Sequence, residues 1–125
     1  MVDSAALLAF SGRLLIAVIF LASAFAKVIH FETTAAYIAQ HGLPMAEFFC
    51  IVAVLIEVFG GLSLALGYYA RLGAVMLAAF LVPVTLAFHW GADQQIQLLK
   101  NLAIIGGLLH IAAHGSGPIS LDTKA

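Results

Sequence analysis

The chain has 125 residues; 64% are hydrophobic and 9% charged, with five Lys and Arg against six Asp and Glu. Soluble domains carry roughly 25% charged residues, so a water-soluble fold is excluded for want of polar surface. The even charge balance leaves no basic patch for a nucleic acid, and the apolar content excludes disorder. These quantities leave a small integral membrane protein with one transmembrane domain spanning 1–125.

Four apolar stretches are each close to the roughly 20 residues that a spanning helix needs. The first covers about 5–29, with Arg13 inside it and Lys27 near its end. The opening Met1-Val2-Asp3-Ser4 has no positive charge, so this stretch is expected to remain as a membrane helix rather than a cleaved signal. The link 30–44 is expected to hold a short interfacial helix. Thr33 or Thr34 can cap it, Tyr37, Ile38 and His41 share a face, Gly42 stops it, and Pro44 can open the next helix at its first position. The second span covers about 45–66, with Glu47 at its mouth and Glu57 in its middle. A tight turn with Tyr68 and Tyr69 leads to the third span, about 72–89, which no charge interrupts. A polar turn around Asp93 leads to the fourth, about 96–114, with Lys100 near its start. The tail from Gly115 is polar and rich in Gly and Pro, so it is expected to leave the membrane.

The expected fold is therefore all-α: a four-helix membrane bundle with a short interfacial helix between the first and second spans. Four spans put both termini on one side. Arg71 and Lys124 lie there, with Arg13 nearer to it than Lys27 and Lys100, so the termini are expected in the cytoplasm. Gly60-Gly61-Leu62 before Gly67 echoes Gly106-Gly107-Leu108 before Gly115, and Arg13-Leu14 echoes Arg71-Leu72. Either the chain is two duplicated hairpins, or small residues recur wherever membrane helices touch.

Ionisable groups within a bilayer cost about 2.5–3.5 kcal/mol at mid-span, so they tend to be paired and functional. Glu57 is the strongest case: it is either protonated or held ionised by a cation. Arg13 and Lys27 are fourteen residues apart and share a helix face with Ala17, Phe20 and Ala24. One of the two cations is expected to pair with Glu57, in an inward polar core; the competing reading is an ion pair that only sets helix register. A second group gathers at one mouth: Lys27, His89, Lys100 and Asn101 offer N–H donors and a titratable imidazole to a carbonyl or an anionic headgroup. The competing reading there is snorkelling lysines and an interfacial histidine.

The single Cys50 excludes an internal disulfide, a dithiol relay and a four-thiolate cluster; it is expected to be a small packing residue. His110 and His114 have a metal-compatible spacing without a third ligand, so no metal site is expected. His30 and His41 are expected to be solvated, and a haem between His89 and either of them is not expected. Pro83 can kink the third span before Thr85 and widen a cavity.

Taken in order, several motifs resemble the DoxX family: Gly12-Arg13-Leu14-Leu15, Phe25-Ala26-Lys27, Leu43-Pro44, Glu57 with Gly60-Gly61-Leu62 and Gly67, Ala70-Arg71-Leu72, Lys100-Asn101-Leu102-Ala103, Gly106-Gly107, and Gly117-Pro118-Ile119-Ser120-Leu121-Asp122. The resemblance covers nearly the whole chain. It implies a small four-helix protein of the inner membrane, in a family whose members are labelled oxidoreductase subunits. A related DoxD-type branch belongs to a membrane thiosulfate:quinone oxidoreductase. On this footing the chain is expected to be a component of a redox system that binds quinone. Glu57 and His89 would accept protons, Arg13, Lys27, Lys100 and Asn101 would hydrogen-bond the quinone, and electrons would pass to or from a soluble or membrane partner. A homo-oligomer is also expected to be feasible. The competing functions are a non-catalytic scaffold or lipid- or cargo-binding module, and a small proton-coupled carrier.

Overall fold

A computed structural model describes residues 4–88 and 92–121, leaving aside the side chains of Phe88 and Ala92. The elements, in order, are α1 (Ser4–Ile29), α2 (Phe31–Gln40), α3 (Ala46–Leu66), α4 (Ala70–Phe88), a 3-10 turn (Ala92–Gln94) and α5 (Gln95–His114). Helices α1, α3, α4 and α5 are long and apolar enough to cross a membrane, and α2 is the short helix between the first two of them. This is the expected all-α membrane bundle. Helix is the form that lets an apolar segment satisfy its own backbone N–H and C=O groups without water.

The four long helices form a ring, α1 against α3, α3 against α4 and α4 against α5, closed by a narrower α5–α1 contact. Glycine sets the closest approaches. A Cβ on Gly60 would fall 2.5 Å from Leu77, and one on Gly61 2.8 Å from Leu21, so α3 meets both of its neighbours without side chains of its own. Gly107 lets α5 reach Ile16 of α1, whereas Gly106 faces open space. Arg13 is buried and Arg71 exposed. The two halves of the apparent repeat thus have different surroundings, and Gly60, Gly61 and Gly107, unlike Gly106, lie at helix contacts. Ala17, Phe20, Leu64, Ala74, Leu77, Leu81 and Leu108 form the core. Large apolar side chains such as Leu8, Leu15, Phe25 and Leu72 point outward. Water would penalise so much exposed apolar surface, and acyl chains do not.

Three local expectations need correction. Neither Thr33 nor Thr34 caps α2, which starts after His30 with no side-chain cap. Backbone bonds flank the bend instead, from His30 N–H to the Ala26 carbonyl (2.9 Å) and from Thr34 N–H to the His30 carbonyl (2.9 Å). Pro44 lies ahead of α3 rather than at its first position, because Met45 takes a left-handed conformation (φ 56°) and turns the chain into the helix. The tail does not simply leave: its first residues fold back against α1 and the end of α3.

Candidate functional site

The polar residues of the bundle collect at two ends. At the α2 end lies a cavity of about 820 Å³, walled by all four long helices and covered by α2. Ile19, Phe20, Phe49, Val52, Ala53, Phe80, Val84 and Ile104 make most of the wall apolar. The polar lining is Ser23, Lys27, His30, Thr34, Tyr37, Glu57, Gln97 and Asn101.

Glu57 lies on the buried stripe of α3 that also carries Cys50, Ala53, Gly60, Gly61 and Leu64. Helical periodicity and the tight packing of Gly60 and Gly61 aim it inward. Its side chain is 5% exposed and that of Lys27 24%. Lys27 Nζ sits 2.9 Å from Glu57 Oε1. It also donates to Ser23 Oγ (2.6 Å), one turn earlier on α1. The contact with Oε1 is close but poorly aligned, so the charges compensate each other while this buried oxygen accepts no hydrogen bond. A compensated pair is the state in which both charges can persist away from water.

On the opposite side, Asn101 Nδ2 donates to Thr85 Oγ1 (3.0 Å), which donates to the Leu81 carbonyl (2.7 Å). Pro83, between them in α4, has no N–H for the Ala79 carbonyl. Pro83, Leu81 and Val84 line the cavity, so the turn that lacks this hydrogen bond borders open space, while α4 runs on as one helix to Phe88.

Of the sequence candidates, the structure brings Lys27, Glu57 and Asn101 to this cavity. Lys100 is exposed and absent from the lining, because the next residue, Asn101, takes the inward direction. His89 lies outside the described residues. His30 is exposed yet borders the cavity mouth with Tyr37 and Thr34, which were not singled out for the site. Ser23 was also missed; its position four residues before Lys27 is the signal that would have found it. Cys50 is fully buried, as expected of a packing residue. His110 and His114 stack at 4.6 Å, and among the described residues no group of three or more His, Cys, Asp or Glu side chains gathers to hold a metal ion.

Arg13 belongs to the other end, and the expected polar core shared by Arg13, Lys27 and Glu57 is corrected accordingly. Fourteen residues of helix give a common face but separate the two cations by roughly 21 Å along the axis. Arg13 is 2% exposed. It donates to the carbonyls of Ser116 (2.5 Å) and Ile119 (2.7 Å), beside the ring of Phe10. Ser116 Oγ donates to the Gly67 carbonyl (3.4 Å) and Leu121 N–H to the Leu66 carbonyl (3.1 Å). Gly67 caps α3 with φ 67°, and a Cβ there would run into Ser120. The tail is thereby pinned across the ends of α1 and α3.

Comparison with known proteins agrees with this architecture. The DoxX family model matches residues 8–90. The chain is 31% identical to the inner membrane protein YphA of Escherichia coli, over 90% of this chain and 86% of that protein. It is 29% identical to the inner membrane protein YqjF of Escherichia coli, over 89% and 86%. It is also 29% identical to the ER-derived vesicles protein ERV29 of Saccharomyces cerevisiae, over 94% of this chain and 33% of that protein. No solved structure matches. With a family model that covers most of the chain and four helices able to span a bilayer, this membrane protein belongs to the DoxX family.

Proposed function

We propose that the cavity at the α2 end binds a quinone-like small molecule, and that the protein serves as the membrane subunit of a quinone-linked redox system. The observation that carries this reading is a largely apolar space of about 820 Å³ with a buried Lys27–Glu57 pair in its wall. Ligand sites of this kind are mostly apolar, with a few convergent polar groups that fix orientation. A ring with an isoprenoid tail suits the wall, and its oxygens suit Lys27 on one side and Asn101 on the other. Entry from the lipid is supported by the narrow α5–α1 contact at Gly107 and Ile16, since both helices line the cavity toward the α2 end.

A ligand of this class supplies reversible exchange of two electrons and two protons. In this reading the chain holds and orients the head, and Glu57, together with His89, takes up or returns protons. Lys100 attracts anionic headgroups at the same mouth. Electrons pass between the ligand and a partner redox protein. Arg13 has no part in the pocket. In this reading the protein resides in the inner membrane, in line with the two relatives named for it, and the Lys and Arg balance of the helix ends puts its termini in the cytoplasm.

The test is purification in mild detergent, mass spectrometry of the extracted small molecules, and titration of the emptied protein with a short-chain quinone. Co-purifying quinone with saturable rebinding supports the reading; no quinone in the extract and no binding on titration overturns it. A second reading, a non-catalytic lipid- or cargo-binding module, is favoured by the likeness to a relative named for ER-derived vesicles rather than for an enzyme. It expects a lipid or peptide in the same extract.

A further inference from the structure

We infer that the molecule in the cavity presents a hydroxyl to Glu57, so that the pocket prefers a hydroquinone to the corresponding quinone. This rests on the cavity being a quinone-type site and adds which form of the ligand it selects.

One oxygen of the buried ion pair lacks an aligned hydrogen bond. Glu57 Oε1 is buried, accepts no hydrogen bond, and lies beside an ammonium whose aligned hydrogen bond goes to Ser23. A carboxylate paired with a cation is acceptor-only. The ion pair compensates the charge of this oxygen, and a bound donor would add the aligned hydrogen bond that it lacks.

The opposite wall has the same polarity. The Thr85 hydroxyl hydrogen is committed to the Leu81 carbonyl, so Thr85 Oγ1 can only accept from Asn101. That fixes the amide with its nitrogen toward Thr85 and leaves its Oδ1 as an acceptor. Each wall therefore holds an acceptor able to take a hydroxyl hydrogen, Glu57 on one side and Asn101 Oδ1 on the other, next to donors such as Lys27.

A quinone carbonyl offers lone pairs alone. At Glu57 it would meet Lys27 but set oxygen against oxygen. A hydroxyl both accepts and donates, so one O–H can take an N–H from Lys27 and give its own hydrogen to Glu57. An ammonium and a carboxylate side by side match a hydroxyl and mismatch a carbonyl.

The experiment uses the full-length protein in lipid nanodiscs under nitrogen, titrated calorimetrically with a short-chain hydroquinone, the matching quinone and the hydroquinone dimethyl ether. The hydroquinone is expected to bind about ten-fold tighter, or more, than either of the others, the scale of one charge-assisted hydrogen bond. In Glu57→Gln the amide can donate to a carbonyl, so the ratio is expected to fall to about one. The wild-type series needs no variant to fold. Quinone binding as tight as hydroquinone binding overturns the preference while leaving the quinone pocket intact; binding by none of the three overturns both.

Discussion

Helix α1 carries two inward cations, and the two ends of the bundle treat them in opposite ways. Among the described residues, Arg13 meets two carbonyls of the returning tail and the Phe10 ring, beside the capped end of α3. Lys27 meets a carboxylate and a hydroxyl, next to about 820 Å³ of open volume. Carbonyl dipoles neutralise a guanidinium only by crowding in, and crowding closes the end. A counter-charge does the job with a single contact, so the rest of the space stays available. The same problem, a cation in a fatty environment, thus yields a structural closure at one end and a receptive cavity at the other.

The comparison can be broken most severely at Lys27. Lys27→Met leaves Glu57 without its counter-charge, and the expected loss is about 3–5 kcal/mol of stability in detergent. The double variant Lys27→Met with Glu57→Met is expected to recover most of it. Thermal unfolding of the three proteins checks this, and a double variant as unstable as the single one would mean that the pair is not the source of the loss.

At the closed end, Arg13→Ala removes two charge-assisted hydrogen bonds and is expected to cost about 3 kcal/mol. It also releases the tail, so protease cleavage within residues 115–121 should accelerate while ligand binding in the cavity holds. Arg13→Lys keeps the charge but lacks the fork that reaches two carbonyls, and should give about half the loss. Equal cleavage rates in wild type and Arg13→Ala would show that the tail is held by something other than this residue.

The smallest effect is expected at Asn101. Asn101→Leu removes one neutral hydrogen bond to Thr85, worth about 1 kcal/mol, and narrows the cavity. Stability should change little while affinity for the titrated ligand falls. A variant that binds as tightly as wild type would remove Asn101 from the site.

The bundle was legible because a bilayer permits so few alternatives: four apolar runs and one amphipathic link leave little else to build. That Glu57 pairs with a cation of α1 was legible because a mid-span carboxylate requires a partner and only α1 offered inward cations; the choice of Lys27 over Arg13 was not. The partners of Arg13 were not. Among the described residues its hydrogen bonds go to main-chain carbonyls, which every residue has, so Ser116 and Ile119 carry no mark in the sequence. Face-sharing between Arg13 and Lys27 was read correctly, but periodicity reports direction around a helix and is silent on depth. The cavity volume was also hidden, since it depends on how closely the helices approach in three dimensions, which periodicity does not report. His30 was read as solvent-facing on its position in a link; the bend between α1 and α2, which turns that link over the mouth, is set by backbone hydrogen bonds.

The Arg13 clasp joins positions 103 and 106 residues apart in the chain. During synthesis the first helix therefore enters the membrane long before its guanidinium can meet those carbonyls. Until residues 116–119 emerge, Arg13 must stay near the headgroups or borrow phosphate oxygens. Closing this clasp then waits for a segment of a few residues that stitches α1 to the chain beyond α5, after the helices between them are made.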